Sequence, residues 1–105
     1  MSDAVQFLPD GTVTTPQGFV AGATYAGMKT YSKDKLDLGL LLSQKPCVTV
    51  GTFTTNRVQG SSLVLTRKLM EGGKVRGVVA NSGIANACVG EQGMIDARET
   101  VALAA

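Results

Sequence analysis

The apolar residues of this chain change period once. From Phe19 to Ala80 they come in alternating or continuous short runs cut by turn signals. From Met94 onward they recur at Met94, Ala97, Val101 and Ala104, the i, i+3, i+7, i+10 spacing of one helix face. Period-2 runs bounded by Gly, Pro and Asp suit half-buried strands. The order is therefore strands first and a helix last. It predicts an α+β fold with about five strands followed by a C-terminal helix.

The strands are expected at Phe19 to Lys29, Leu36 to Leu42, Cys47 to Thr54, Ser62 to Arg67 and Val75 to Ala80. Asp10-Gly11, Thr14 to Gly18 and Glu71 to Lys74 mark turns, and Tyr31 to Lys35 a polar connector. Pro46 suits the first position of a strand, where no ladder donor is needed. The run Val78-Val79-Ala80 suggests burial on both faces. Aromatics make up 5% of the 105 residues and Trp is absent, so Val, Leu, Ala and the 13 glycines must build the core. A hydrophobic fraction of 44% gives the chain enough apolar material to collapse.

The final helix has Glu91 and Asp96 near its start, but neither a closing Gly, Asn or Pro nor a basic last turn. A helix ending mid-pattern leads to the expectation that residues 1–105 form a single incomplete domain. One sheet face would be covered by this helix, the other by nothing in the chain.

Histidine is absent, which removes any His base, His metal ligand or Ser-His and Cys-His pair from this chain. A net charge of +2 without a basic cluster gives no electrostatic case for nucleic acid or an anionic membrane. Cys47 and Cys88 have neither zinc nor C-x-x-C spacing and read as two buried, reduced thiols. The start, Met1-Ser2-Asp3, lacks a basic n-region and an apolar h-region. The longest apolar run, Leu38 to Leu42, is far short of a membrane span. The expected address is the cytoplasm. No metal and no cofactor is expected.

The common catalytic signatures are missing: no P-loop, G-x-G-x-x-G, G-x-S-x-G or H-E-x-x-H. Ser32-Lys33-Asp34-Lys35 fits the bare S-x-x-K pattern, but it lies in a charged connector rather than at a buried helix start. The carboxylates Asp3, Asp10, Asp34, Asp37, Glu71, Glu91, Asp96 and Glu99 are scattered and form no evident dyad. Two segments stand out. Gly51 to Val58 ends a strand in two threonines and an asparagine. Asn81 to Gly90 carries small residues and amides between a buried strand and the helix. Such a loop can present backbone N–H groups to an anion or oxyanion. It can equally be a tight connection in which Asn81 and Asn86 satisfy buried backbone groups.

Taken together and in order, these segments resemble the ornithine acetyltransferase family, also called bifunctional arginine biosynthesis proteins or glutamate N-acetyltransferases. Four stretches carry the resemblance: Pro16 to Gly22 with Gly27-Met28-Lys29; Asp37 to Leu40 with Ser43; Gly51-Thr52-Phe53-Thr54-Thr55-Asn56-Arg57-Val58; and Asn81-Ser82-Gly83 through Ala85-Asn86-Ala87-Cys88 with Gly90 to Gly93. The last two match the family's F-T-T-N-x-V and N-S-G-x-A-N-A-C-x-G motifs. Ile84 stands where the family often has a polar or small residue, and Val89 where it often has Thr.

The resemblance implies the first part of a layered α/β sandwich and an acetyl transfer that this chain cannot perform alone. Family members cut themselves before a threonine whose hydroxyl is the nucleophile, with its own α-amine as base. That Thr takes acetyl from N-acetylornithine, or in bifunctional members from acetyl-CoA as a substrate, and passes it to glutamate. The implied partner is the remainder of the same precursor, in a hetero-oligomer of α and β chains. The family's oxyanion-hole Thr-Gly pair, cleavage site and substrate-binding residues lie beyond the helix. No catalytic or substrate-binding residue is therefore assigned within 1–105. Thr54, Thr55, Asn81, Ser82 and Asn86 match family motifs and are expected as scaffold around the site. The alternatives are a self-cleaving N-terminal-nucleophile aminopeptidase of related fold and a non-catalytic sheet module that binds a protein partner.

Overall fold

The structure is a computed structural model and describes residues 4–29 and 32–105. The N-terminal reading at Met1 to Asp3, and Tyr31 of the polar connector, lie outside the described residues. The elements run β1 (Phe19–Thr24), β2 (Leu38–Ser43), α1 (Ser61–Met70), β3 (Gly77–Asn81) and α2 (Gly90–Ala104). The three strands form one antiparallel sheet in the order β1-β2-β3. Phe19 pairs with Ser43 and Thr24 with Leu38; Leu38 pairs with Asn81 and Leu42 with Gly77.

Three of the five expected strands are present, each shortened or shifted at its ends. The other two are corrections. Ser62 to Arg67 is not a strand but the body of α1. A short apolar run satisfies both periods, so Leu63-Val64-Leu65 alone cannot decide between them. Better signals flank it: Ser61 and Ser62 open the segment, Arg67 and Lys68 lie in its last turn, and Gly72-Gly73 follow. Cys47 to Thr54 joins no ladder. Its residues still alternate in burial, with Cys47, Thr49 and Phe53 half-buried, while Val48 and Val50 are 91% and 87% exposed. The Thr49 hydroxyl and the Cys47 thiol both donate to the Val75 carbonyl, at 2.7 Å and 3.5 Å. Side chains thus hold this segment where a strand would use its backbone, and Pro46 starts no strand.

Strand alternation places Val20, Leu40, Leu42 and Val79 on one side of the sheet and Ala21, Leu41 and Val78 on the other. Val79 shares a cleft with Leu65, Ala97 and Val101, so the two helices cover part of the first side. The other side stays open, with Val78 56% exposed. Leu65 and Ala97 are the buried apolar side chains among the described residues.

The predicted helix face is present in α2. Gly93 and Ala97 are buried, Met94 and Val101 half-buried, and Glu91 lies in the first turn. Gly93 brings α2 against its neighbours. A Cβ there would come within 2.5 Å of Asn86 Oδ1 and 2.6 Å of Ser61 Oγ. Both cysteines are free, but the expected burial fails: Cys88 is exposed and Cys47 half-buried. Cys88 is on the outside because it turns the loop, at φ 57°, rather than packing a core.

Candidate functional site

The exit of β3 and the starts of both helices converge on one loop, Asn81 to Val89. Its backbone turns through left-handed conformations at Gly83 (φ 88°), Ile84 (φ 46°) and Cys88 (φ 57°), and Gly90 (φ 65°) follows. Only glycine adopts such angles freely, and a β-branched residue there is strained. Two asparagines fix the path. Asn81 Nδ2 donates to the Gly83 carbonyl at 2.8 Å, and Asn86 Nδ2 to the Gly93 carbonyl at 2.8 Å. The Asn86 carbonyl accepts from the Ser61 N–H at 3.2 Å, the first residue of α1. One residue thus links the loop to both helices. Asn86 Oδ1 is buried with no hydrogen-bond partner among the described residues. Both amides serve the backbone, the second of the two uses open to them from the sequence.

Between this loop and the helices lies a cleft of about 1020 Å³ lined by Met28, Leu65, Val79, Asn81, Asn86 and Ala97, among others. Of the five sequence-derived scaffold residues, Asn81 and Asn86 line it. Ser82 is half-buried beside it and donates its backbone N–H to the Asp37 carbonyl at 2.8 Å. Thr54 and Thr55 are exposed and lie outside the residues that line the cleft. Thr54 belongs to a turn: its Oγ1 accepts from the Asn56 N–H at 3.1 Å, and Asn56 Oδ1 accepts from the Val58 N–H at 3.2 Å. Arg67 of α1 anchors that turn. Its guanidinium donates to Gln59 Oε1 at 3.1 Å and to the Thr54 carbonyl at 3.4 Å, and lies 5.2 Å from the centre of the Phe53 ring.

Two organising residues escaped the sequence reading. Arg67 was hidden in an expected strand, and Asp37, though it opens a motif stretch, was otherwise one of the scattered carboxylates. Asp37 is 3% exposed. Its Oδ1 accepts from the Ala26 N–H at 2.6 Å; its Oδ2 accepts from Met28 at 2.7 Å and Lys29 at 3.2 Å. The Ala26 N–H bond, then those of Lys29 and Met28, hold its carboxyl below the usual range against the opposing effect of burial. The available signal was positional: an acid just before β2 facing the glycine-containing exit of β1.

Chemically the cleft offers amides, hydroxyls and apolar wall. Asp96 adds a carboxylate, occupied at 2.7 Å by Gln92 Nε2. These groups can hold and orient a small polar molecule. They contain no activated nucleophile with a neighbouring base. Among the described residues there is no cluster of three or more His, Cys, Asp or Glu that could hold a metal, and no helix long and apolar enough to cross a membrane.

The sequence model of the ArgJ family matches residues 20–105. The chain is 46% identical over 101 residues to the arginine biosynthesis bifunctional protein ArgJ of Dehalococcoides mccartyi, covering 96% of this chain and 25% of that protein. The protein of the same name from Symbiobacterium thermophilum is 52% identical over 95 residues, covering 90% and 24%. The chain therefore spans about a quarter of the length of the curated relatives it matches. Among solved structures it is similar to the ArgJ protein of Bacillus halodurans, with a TM-score of 0.81, 35% identity, and coverage of 89% of this chain and 48% of that one. It is also similar to an ornithine acetyltransferase of Mycobacterium tuberculosis, solved in complex with ornithine. There the TM-score is 0.77 and the identity 38%, with 84% and 45% coverage.

Proposed function

The chain belongs to the ArgJ family, and from that premise we propose that it forms the N-terminal part of an acetyltransferase of arginine biosynthesis. The complete protein moves acetyl from N-acetylornithine to glutamate through a threonine acyl-enzyme. In a bifunctional member acetyl-CoA also serves as donor. The threonine lies on a second chain released by self-cleavage, and the two chains form a hetero-oligomer in the cytoplasm. No cofactor takes part.

One observation carries this reading: the family match covers residues 20–105, a stretch that takes in Gly27-Met28-Lys29, Asp37 to Leu40, Gly51 to Val58 and Asn81 to Gly93. The cleft agrees with it in kind. Its amides hold the loop in shape, as a scaffold segment should. Thr54, Thr55, Asn81, Ser82 and Asn86 are proposed as scaffold: Asn81 and Asn86 as one wall of the site, Ser82 behind it, and the threonines in the turn that Arg67 holds. In the first step the threonine oxygen attacks the acetyl carbonyl and ornithine leaves with its amine restored. In the second the glutamate amine takes the acetyl group and the hydroxyl is regenerated.

The test is to express the full-length protein and incubate it with N-acetylornithine and glutamate. N-acetylglutamate and ornithine should appear in equal amounts, with an acetylated threonine peptide trapped during turnover. A full-length protein that instead releases N-terminal amino acids from peptides would favour the aminopeptidase reading.

A further inference from the structure

We infer that Asp37 is a positioning residue. Its carboxylate holds the backbone of Met28 and Lys29 against Gly83, and through that contact it sets the amide loop that walls the cleft. The kinetic part of this inference rests on the acetyl-transfer reading; the geometric part does not.

Four chain segments meet at Asp37. Its N–H donates to the Thr24 carbonyl at the end of β1 at 3.1 Å, and its carbonyl accepts from Ser82 just after β3 at 2.8 Å. Its two carboxylate oxygens take the N–H groups of Ala26, Met28 and Lys29. These three donors come from a turn that contains Gly27 at φ 78°. A carboxylate is the one short side chain that accepts on both oxygens. Asparagine has nearly the same shape but turns an NH₂ toward at least one of those donors, leaving it unpaired.

The turn then meets Gly83. A Cβ on Gly83 would be 2.7 Å from the Lys29 Cα, 2.8 Å from the Met28 carbonyl oxygen and 3.0 Å from the Lys29 nitrogen. The contact is backbone on backbone, so no side chain can repack to absorb a shift. Gly83 also carries the carbonyl to which Asn81 is bonded, and Met28 lines the cleft together with Asn81. Displacement of the 26–29 turn therefore reaches Asn81 in two steps, the backbone contact at Gly83 and the hydrogen bond from the Asn81 side chain to the Gly83 carbonyl.

The test uses the full-length protein with Asp37→Asn, Gly83→Ala and the double substitution, read by amide hydrogen exchange and by steady-state kinetics. Asp37→Asn should speed exchange at Ala26, Met28, Lys29 and Ser82, the amides bonded to Asp37, by about tenfold or more while α1 and α2 keep their protection. It should raise the KM for N-acetylornithine by about tenfold and leave kcat within about threefold. A variant that had merely lost folded protein would show the opposite: a lower apparent kcat and an unchanged KM. The double substitution should raise KM by less than the product of the single effects, because both act on one contact. Unchanged exchange at Met28, Lys29 and Ser82 in Asp37→Asn, or single effects that multiply in full, would overturn the inference. Should Asp37→Asn fail to fold, Gly83→Ala alone decides, since it leaves the carboxylate in place. It should speed exchange at Met28 and Lys29, and unchanged exchange there would refute the relay. If the unsubstituted protein transfers no acetyl group, the acetyl-transfer reading fails, and the exchange data still decide the role of Asp37.

Discussion

Ile84 is the residue at which sequence and conformation disagree most openly. Its φ of 46° is left-handed, its side chain is β-branched, and it is 73% exposed, so little packing offsets the strain. A left-handed L-residue costs roughly 1–2 kcal/mol, less for asparagine, whose short polar side chain bonds locally. Ile84→Asn is therefore expected to stabilise the protein by about 1 kcal/mol. The check is a higher urea midpoint at unchanged slope. Asp37 gives a second prediction at this scale. Its folded pKa lies below the unfolded value near 3.8, so its bonds contribute stability above the unfolded pKa. That contribution is lost as the pH falls through the lower, folded value. Asp37→Asn should accordingly be less stable than the parent near neutrality. The gap should close on acidification, measured as urea midpoints across the acid limb.

Among the elements, α2 and the three paired strands were legible in the sequence, and α1 was not. Met94, Ala97 and Val101 declare their period over several turns, whereas Leu63 to Leu65 is too short to do so. The Cys47 to Thr54 segment failed for a different reason. Its alternation is real, but a ladder needs a neighbouring backbone, and the described residues supply only the Val75 carbonyl, reached by side chains. Local pattern specifies a strand's shape and leaves its partner open. The site was legible to a similar degree. Asn81 and Asn86 were found because amides after a continuously apolar run are conspicuous, although the burial on both faces expected of that strand fails: Val78 is 56% exposed and only Val79 is half-buried. Asp37 and Gly27-Met28-Lys29 stand in two of the motif stretches, but their pairing was missed because the three donors lie eight to eleven positions from the acid, beyond any local spacing. The helix pair supplies the next prediction. Gly93→Ala would put a methyl group against Asn86 Oδ1, Ser61 Oγ and Val89 Cγ2. Forcing α2 outward should cost about 1–3 kcal/mol, read as a loss in denaturation midpoint.

At the scale of the molecule, the chain is expanded. Its radius of gyration is 16.0 Å, against about 13 Å for a compact domain of this length. Large apolar side chains are exposed on both sides of the sheet, at Val20, Leu40 and Leu42 on one and Val78 on the other, on the Val48-Val50 segment and near the start at Phe7, which is 89% exposed. Soluble monomers rarely expose apolar surface on that scale. Residues 1–105 alone should therefore bind a hydrophobic dye and lack a sharp, cooperative melt, as seen by fluorescence and calorimetry. In the solved relatives the matched segment makes up just under half of the chain, 48% in one and 45% in the other. The account rests on a division of labour: this chain shapes one wall of a site, and the reacting hydroxyl comes from elsewhere in the polypeptide. The most direct test compares acetyl transfer from N-acetylornithine to glutamate by residues 1–105 and by the full-length protein under identical conditions. The full-length protein should turn over and the isolated segment should show no rate above buffer. Turnover by residues 1–105 alone would contradict the account.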